Sequence, residues 1–405
     1  MLIRLLQFSL SQRLFMLLMV VVVAAGGWLA FTKLPIDAFP EVSPVQVKIV
    51  FKAPGMTPEE VETRIAVPIE VEMLGIPHQE MLRSTNKYGI ADITLKFTDG
   101  TDIYWARQQV AERLNNIQDD LPTGLSGGMA PITTPLGEIF MFTIESDTLS
   151  LMEKRDLLDW VIRPALRTVP GVADVNALGG EARTFEVVPD QLKMAANSVT
   201  LEELRQVITT NNSNDGAGRL DEGGESLLVR EEGRIQTPDD LRAIVVGMRD
   251  GAVVRLGDVA DVRIGALTRY GAVTRNGQGE AVEGLVLSLA GANAREVVAG
   301  VKARLLEVQP SLPAGTRLHV FYDRAHLVDK AVGTVAEALL EATALVLVLL
   351  GLFLGNVRAA ITVAVILPLS ALITFILMRQ FGMSANLMSL GGLAIDNCQT
   401  SCRVS

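Results

Sequence analysis

The sequence predicts an α+β membrane protein, and three observations carry that reading. Apolar runs long enough to cross a bilayer lie near both ends of the 405-residue chain. The stretch between them is polar, so the chain as a whole is 49% hydrophobic yet 20% charged. Within that stretch, alternating strands and amphipathic helices follow one another in the order strand, helix, strand, helix, and the order recurs. Transmembrane α-helices carrying two ferredoxin-like (split βαβ) subdomains, the second with an inserted β-rich subdomain, account for all three.

The N-terminal residues 1–13 contain Arg4 and Arg13 and precede an uncharged run, transmembrane helix 1 at 14–31. A cleaved signal peptide has a shorter apolar core and a small-residue cleavage site. Here "TKLPIDAFP" follows instead, which favours a retained anchor. The arginines before the span and the single Lys33 after it place the N-terminus on the cytoplasmic side. The domain that follows then lies outside the cytoplasm, in the periplasm if the cell has two membranes.

The first outer unit covers 32–134. Val45, Val47, Ile49 and Phe51 alternate as in a half-buried strand. "TPEEVETRIAVPIEVEML" begins with Thr57 as cap, Pro58 at the first helical position and Glu60 closing a capping box. Ala91, Ile93, Leu95 and Phe97 mark a second strand. Ile103, Ala106, Val110, Leu114, Ile117 and Leu121 step by three and four along an amphipathic helix.

The second unit is split into 135–181 and 271–333. "EIFMFTIES" reads as a strand and "LMEKRDLLDWVIRPALRTV" as a helix kinked at Pro164. "VADVNAL" and "RTFEVVP" read as strands around Gly179-Gly180, and "VEGLVLSLAG", "AREVVAGVKARLLEVQ" and "RLHVFYD" as strand, helix and strand. Residues 182–270 form the insert. It opens with "TLEELRQVITTNN", a helix with Thr200 and Glu203 as its capping box. From Asn211 to Tyr270 the chain is glycine-rich and polar, with strand-like "SLLVREEGR" and "AVVRLGDVADVRI" and little helix. A stretch this long in a compact domain points to an arm for partner or subunit contact rather than an idle loop.

Spans two and three are expected at 336–355 and 359–378. The link between them is so short that they form an antiparallel hairpin. A partial fourth span at 383–395 falls short of the ~20 residues needed to cross. Residues 396–405 are an aberrant tail, unrelated in character to what precedes. Glu337 and Glu341 are placed at the outer interface of the second span. Pro368 lies mid-span, where Ser370 and Thr374 help satisfy the freed backbone.

The chemistry that would mark an enzyme is missing. His78, His319 and His326 fall in separate elements, and no H-E-x-x-H, phosphate-cradling loop or G-x-S-x-G occurs. Met73, Met81, Met129, Met141, Met152, Met194 and Met248 show no ligand spacing and are read as core residues. Cys398 and Cys402, the only cysteines, have no further ligands nearby and leave the body without disulfides. No catalytic, cofactor-binding or metal-ligating residue is therefore assigned and no cofactor is expected. A net charge of −10 argues against a nucleic-acid partner.

An ordered set of motifs resembles one family across nearly the whole chain. It comprises "LPIDAFPEVSPVQV", "GMTPEEVETRIAVPIEVEMLGI", "RSTNKYGIADITLKFTDGTDIYWARQQVAERL", "LPTG", "TTPLGEIF", "LFLGNVRAAITVAVILPLSAL" and "SANLMSLGGLAI". It is similar to the N-terminal part of resistance-nodulation-cell division (RND) efflux permeases, and "DGTDIYWARQQVAERL" and "PLGEIF" are nearest the heavy-metal efflux branch. The resemblance implies an inner-membrane, multi-pass homotrimer exchanging protons for substrate, docked to a periplasmic adaptor protein and an outer-membrane channel. The split βαβ units become porter subdomains and the insert a docking subdomain, whose arm around Asn211 to Gly233 reaches the neighbouring subunit. The resemblance also places a proton-relay aspartate near residue 402, where this chain has cysteine; Asp396 falls nearly two helical turns too early. On that reading the chain is a truncated permease, inactive alone. Two alternatives stand beside it. One is a fragment of a multidrug pump of the same family, which the 5% aromatic content disfavours. The other is a membrane-anchored periplasmic sensor or binding module, which lacks the expected output domain.

Overall fold

The computed structural model describes residues 11–34, 36–37, 43–212, 214–222, 225–231, 233–249, 251–354, 357–381, 385–386, 388–389 and 392. The tail at 396–405, the first ten residues and most of 383–395 lie outside the described residues. Two compact units emerge: one formed by 1–145, 160–177 and 283–405, the other by 146–159 and 178–282.

In the first unit, α1 (Arg13–Lys33) leads through the short β1 (Ile36–Asp37) to a sheet of β2 (Gln46–Lys52), β3 (Gln79–Lys87), β4 (Ile90–Phe97) and β5 (Ser126–Met129). Its spatial order is β3-β4-β2-β5, and every neighbouring pair is antiparallel. Two helices cross it. One, α2, runs from Pro58 to Met73 with a π turn at Glu62–Ala66, and the other is α3 (Ile103–Asn116). Period-two burial on β4 puts Ala91, Ile93, Leu95 and Phe97 into a core with Val61, Ile65, Ile69, Met73, Ala106 and Val110. Each of the larger of these side chains, Ile93 or Phe97 for example, contributes ~1.5–3 kcal/mol by leaving water. Gly127 is required where β5 meets β2, because a Cβ there would strike the Val50 carbonyl.

The second sheet uses β6 (Glu138–Glu145), β7 (Val172–Gly179), β15 (Glu280–Ser288) and β16 (Arg317–Asp323). Its order is β16-β6-β15-β7, with β14 (Val273–Thr274) also on β15. Counted along the chain, this is the first sheet's order again. The helices are α4, which runs from Leu151 to Leu166 with a π turn at Leu158–Ile162, and α9 (Ala294–Val308). The helix expected to kink at Pro164 contains a π turn ahead of the proline. Gly284 stands opposite Phe142 and leaves room for its ring, which a Cβ would enter.

Where the first sheet joins its second and third strands along the chain, β3 and β4, by the two-residue turn Tyr88-Gly89, the second opens between β7 and β15 into the insert. The insert holds the ribbon β8 (Arg183–Pro189) with β13 (Ala260–Ala266), and the hairpins β9–β10 (Asp215–Glu222, Glu225–Glu231) and β11–β12 (Val245–Arg249, Ala252–Arg255). Its helices are α5 (Gln191–Ala196), α6 (Leu201–Thr210), α7 (Pro238–Ala243) and α8 (Leu256–Val259). The stretch expected as one strand, "AVVRLGDVADVRI", is broken by α8. Leu256 and Val259, three apart, turn into a core with Leu204, Leu241 and Val262, and that burial overrides the β-rich composition.

Two long helices, α10 (Arg324–Leu354) and α11 (Val357–Gln380), follow β16. α1 lies along α11 in the same direction: Phe31 meets Phe375 at 5.0 Å between ring centroids, and the backbone at Gly27 lies so close to Leu372 that a Cβ would collide. β1 continues this as a parallel bridge to β17 (Ala385–Asn386). Within the fourth apolar segment, expected to be helical from 383, Ala385–Asn386 are therefore an extended bridge. Helix appears at Met388, Ser389 and Gly392, after reciprocal hydrogen bonds between Asn386 and Ser389. Among the described residues one helix, Leu14–Thr32, meets the length and composition of a membrane span.

Candidate functional site

Strand register in the second sheet lines up three polar side chains. Glu283 on β15 and His319 on β16 both stand opposite Thr143 on the central strand β6. Paired residues share a face, so the three form a row across the sheet, on the side away from Phe142 and Gly284. Glu145, two residues along from Thr143, joins this face and holds its Oε1 3.9 Å from His319 Nδ1. Met141 lies two residues along in the other direction.

The row is unusual because its central member is a buried polar side chain. Thr143 is 4% exposed, and its hydroxyl has no hydrogen-bond partner in the protein. A buried hydroxyl left this way costs free energy unless a ligand or water meets it. Burial, and secondarily the Glu138 carboxylate, push Glu283 above the ordinary carboxylate range. The donors are carboxylate and hydroxyl oxygens and an imidazole nitrogen, a set suited to divalent cations rather than to soft monovalent ones. Neighbouring strands are ~4.8 Å apart, so Glu283 and His319 stand on the outer two of three strands, too far apart to grip one ion together. Among the described residues no three His, Cys, Asp or Glu side chains converge closely enough to hold a metal ion. The face offers successive weak contacts, not a closed cage.

The other sequence candidates do not gather. His78 packs edge-on against Trp105 at 5.7 Å, and His326 sits in the first turn of α10. Met73 and Met194 are core residues, whereas Met81 and Met248 are exposed. Glu337 and Glu341 are exposed on α10. The groove beside His78 is lined by Asp102 and Thr98. Asp102 is already used there as the cap of α3, and Thr98 bonds Thr101. Sequence reading passed over Glu283, Thr143 and Glu145. The available signals were the alternating Thr143 and Glu145 in "FTIE" and the single glutamate inside "VEGLVLS".

In the insert, β9 and β10 pair in the antiparallel register Glu222↔Glu225 to Asp215↔Glu231. Asn214 and Asn212 accept from the backbone N–H groups of Arg234 and Ile235 and tie the two ends of this hairpin together.

Residues 5–396 match the AcrB/AcrD/AcrF family. The cation efflux system protein CzcA of Alcaligenes sp. (strain CT14) is 42% identical over 399 residues, 96% of this chain and 37% of the relative. The cation efflux system protein CusA of Escherichia coli (strain K12) is 36% identical over 390 residues, again 96% of this chain and 37% of the relative. A crystal structure of a heavy metal efflux pump aligns with a TM-score of 0.85 at 36% identity, covering 96% of this chain and 39% of that one. The chain thus spans well under half the length of these relatives.

Proposed function

The chain belongs to the AcrB/AcrD/AcrF family, and from that premise we propose that it serves proton-driven export of divalent metal cations across a bacterial inner membrane. The observation that carries the cation reading is the Glu283–Thr143–His319 row, with Glu145 beside it, centred on a buried hydroxyl without a protein partner. The row supplies oxygen and nitrogen donors in succession, which suits a passing cargo better than a resident ion.

In this reading the two sheets are porter subdomains, at 32–134 and at 135–181 with 271–333. The insert at 182–270 is the docking subdomain for a periplasmic adaptor and an outer-membrane channel, and the β9–β10 hairpin is the arm of a homotrimer. Segments 14–31, 336–355 and 359–378 cross the lipid bilayer. The parallel course of α1 and α11 supports a common exit side for spans one and three, the side on which the domain lies. The names of the relatives, cation efflux proteins and a heavy metal efflux pump, favour metal over drugs as cargo.

Cation binding to the detergent-solubilised chain tests the site. Zn²⁺ or Co²⁺ binds the wild-type chain, and Glu283→Gln with His319→Ala, which removes one donor from each end of the row, weakens that binding about tenfold or more. Cu⁺ binding changes little. Because Glu283 titrates above its ordinary range, Zn²⁺ affinity falls as the pH drops towards the ordinary glutamate value of 4.5. Equal Zn²⁺ affinity in the wild-type and doubly substituted chains at neutral pH would remove the row from the site.

A further inference from the structure

The insert leaves the second sheet through two adjacent glycines, and three arginines from three separate segments close around them. Gly179 and Gly180 both take φ of +69°, a conformation that L side chains rarely adopt. Packing there is tight: a Cβ on Gly180 would lie 2.8 Å from the Val282 side chain and 3.1 Å from that of Arg155. Gly179 ends β7 and Gly180 is the first residue beyond it, so the left-handed turn stands where the strand stops.

Arg155, on α4, donates to the Gly179 carbonyl and to Asp159, both at 2.7 Å. Arg183, at the start of β8, pairs back to Asp156 on the same helix at 2.8 Å. Arg269, on the returning segment, donates to Glu280 at 2.5 Å and to the Gly180 carbonyl at 3.4 Å, and lies 3.8 Å from Glu181. Each arginine joins one segment to another, and none duplicates a neighbour's link. All belong to the second compact unit. The side chains of the Arg183 and Arg269 pairs are roughly a third exposed, between 30% and 42%. Ion pairs exposed to this degree are individually weak and are screened by salt.

We propose that this arginine ring is a conformational latch. It sets the direction in which the insert leaves α4, and its opening lets the insert pivot about Gly179-Gly180 while the insert's own core stays folded. A screened set of pairs over a glycine turn gives two arrangements separated by little free energy. A mere stabilising cluster would raise stability without defining a pivot. The inference does not depend on what the protein transports.

The test is a distance distribution from spin labels at Asp147→Cys and Leu192→Cys, in a full-length chain carrying Cys398→Ser and Cys402→Ser. Asp147 and Leu192 are both exposed. In low salt the distribution is narrow, and in high salt it broadens or becomes two-peaked. Arg183→Asp broadens it in low salt, and adding Asp156→Arg restores the narrow peak. Amide exchange at 179–183 rises about tenfold in Arg269→Gln, as for the loss of a few partly exposed pairs, while exchange around Leu204 and Leu241 is unchanged. A wild-type distribution equally narrow in low and high salt overturns the latch, whether or not any variant folds. Broadening that the charge swap leaves unrepaired also counts against it, because it reports damage and not the pair.

Discussion

A single methyl group added at position 284 would enter the ring of Phe142. Phe142 is fully buried on the central strand, so neither side can give way cheaply. Gly284→Ala is expected to lower stability by ~1–3 kcal/mol, the usual cost of overpacking. The measurement is the denaturation midpoint of the solubilised chain, and an unmoved midpoint would refute the packing account. The same register that brings Gly284 to Phe142 brings Glu283 to Thr143 on the opposite face. The sequence made the strands legible, since "VEGLVLS" is plainly one. It did not make the row legible, because three residues from positions 143, 283 and 319 meet only once the sheet is ordered. A glutamate within a strand carries no hint of its partners on other strands.

The helices repeat one another as the sheets do. α2 and α4 each begin with a capping box, Thr57 with Glu60 and Ser150 with Glu153. Each widens by one π turn just before a segment with proline in second place, Pro68 and Pro164. Proline has no N–H to give and its ring clashes with the carbonyl four residues back, so a wider turn relieves both problems. The boxes at Thr57 and Thr200 were readable from Thr-x-x-Glu. That at Thr237 has Asp240 in the glutamate's place and was missed. Backbone N–H groups at the caps, chiefly those of Thr57, Ser150 and Thr200, hold Glu60, Glu153 and Glu203 below the ordinary glutamate range. A lowered folded value means stabilisation present above the ordinary 4.5 and lost as the pH falls through the depressed value. Amide protection of 201–210 is therefore expected to fall on acidification below 4.5, and Glu203→Gln to flatten that dependence. A profile identical in wild type and variant would show that the cap does not govern this helix end.

At the scale of the whole molecule, the shared direction of α1 and α11 carries a prediction about which residues a membrane-impermeant reagent reaches. Phe31 meets Phe375, and β1 pairs in parallel with β17, so α1 and α11 end together. The first sheet follows α1 directly through β1, so the chain enters that sheet from this shared end. In right-side-out spheroplasts, Asp147→Cys in the Cys398→Ser and Cys402→Ser chain is expected to react with a membrane-impermeant maleimide. A cysteine placed ahead of Arg13 is expected to be protected until the membrane is opened. The reverse pattern would invert the orientation.

The sequence by itself determined the elements that depend on neighbours along the chain. The 3.6-residue periodicity of α3, the alternation of β4, the caps at Thr57 and Thr200 and the apolar run of α1 are all local properties, set by which side chains recur on one face. It also determined the family, through motifs spread over nearly the whole length. Tertiary structure alone decided which strands are neighbours, and so which polar residues meet. It placed Glu283, Thr143 and His319 in one row, drew three arginines around Gly179-Gly180, and turned "LGDV" from strand to helix to bury Leu256 and Val259. Each of these brings together residues far apart in sequence, or trades a local preference for burial, and no local pattern encodes either outcome.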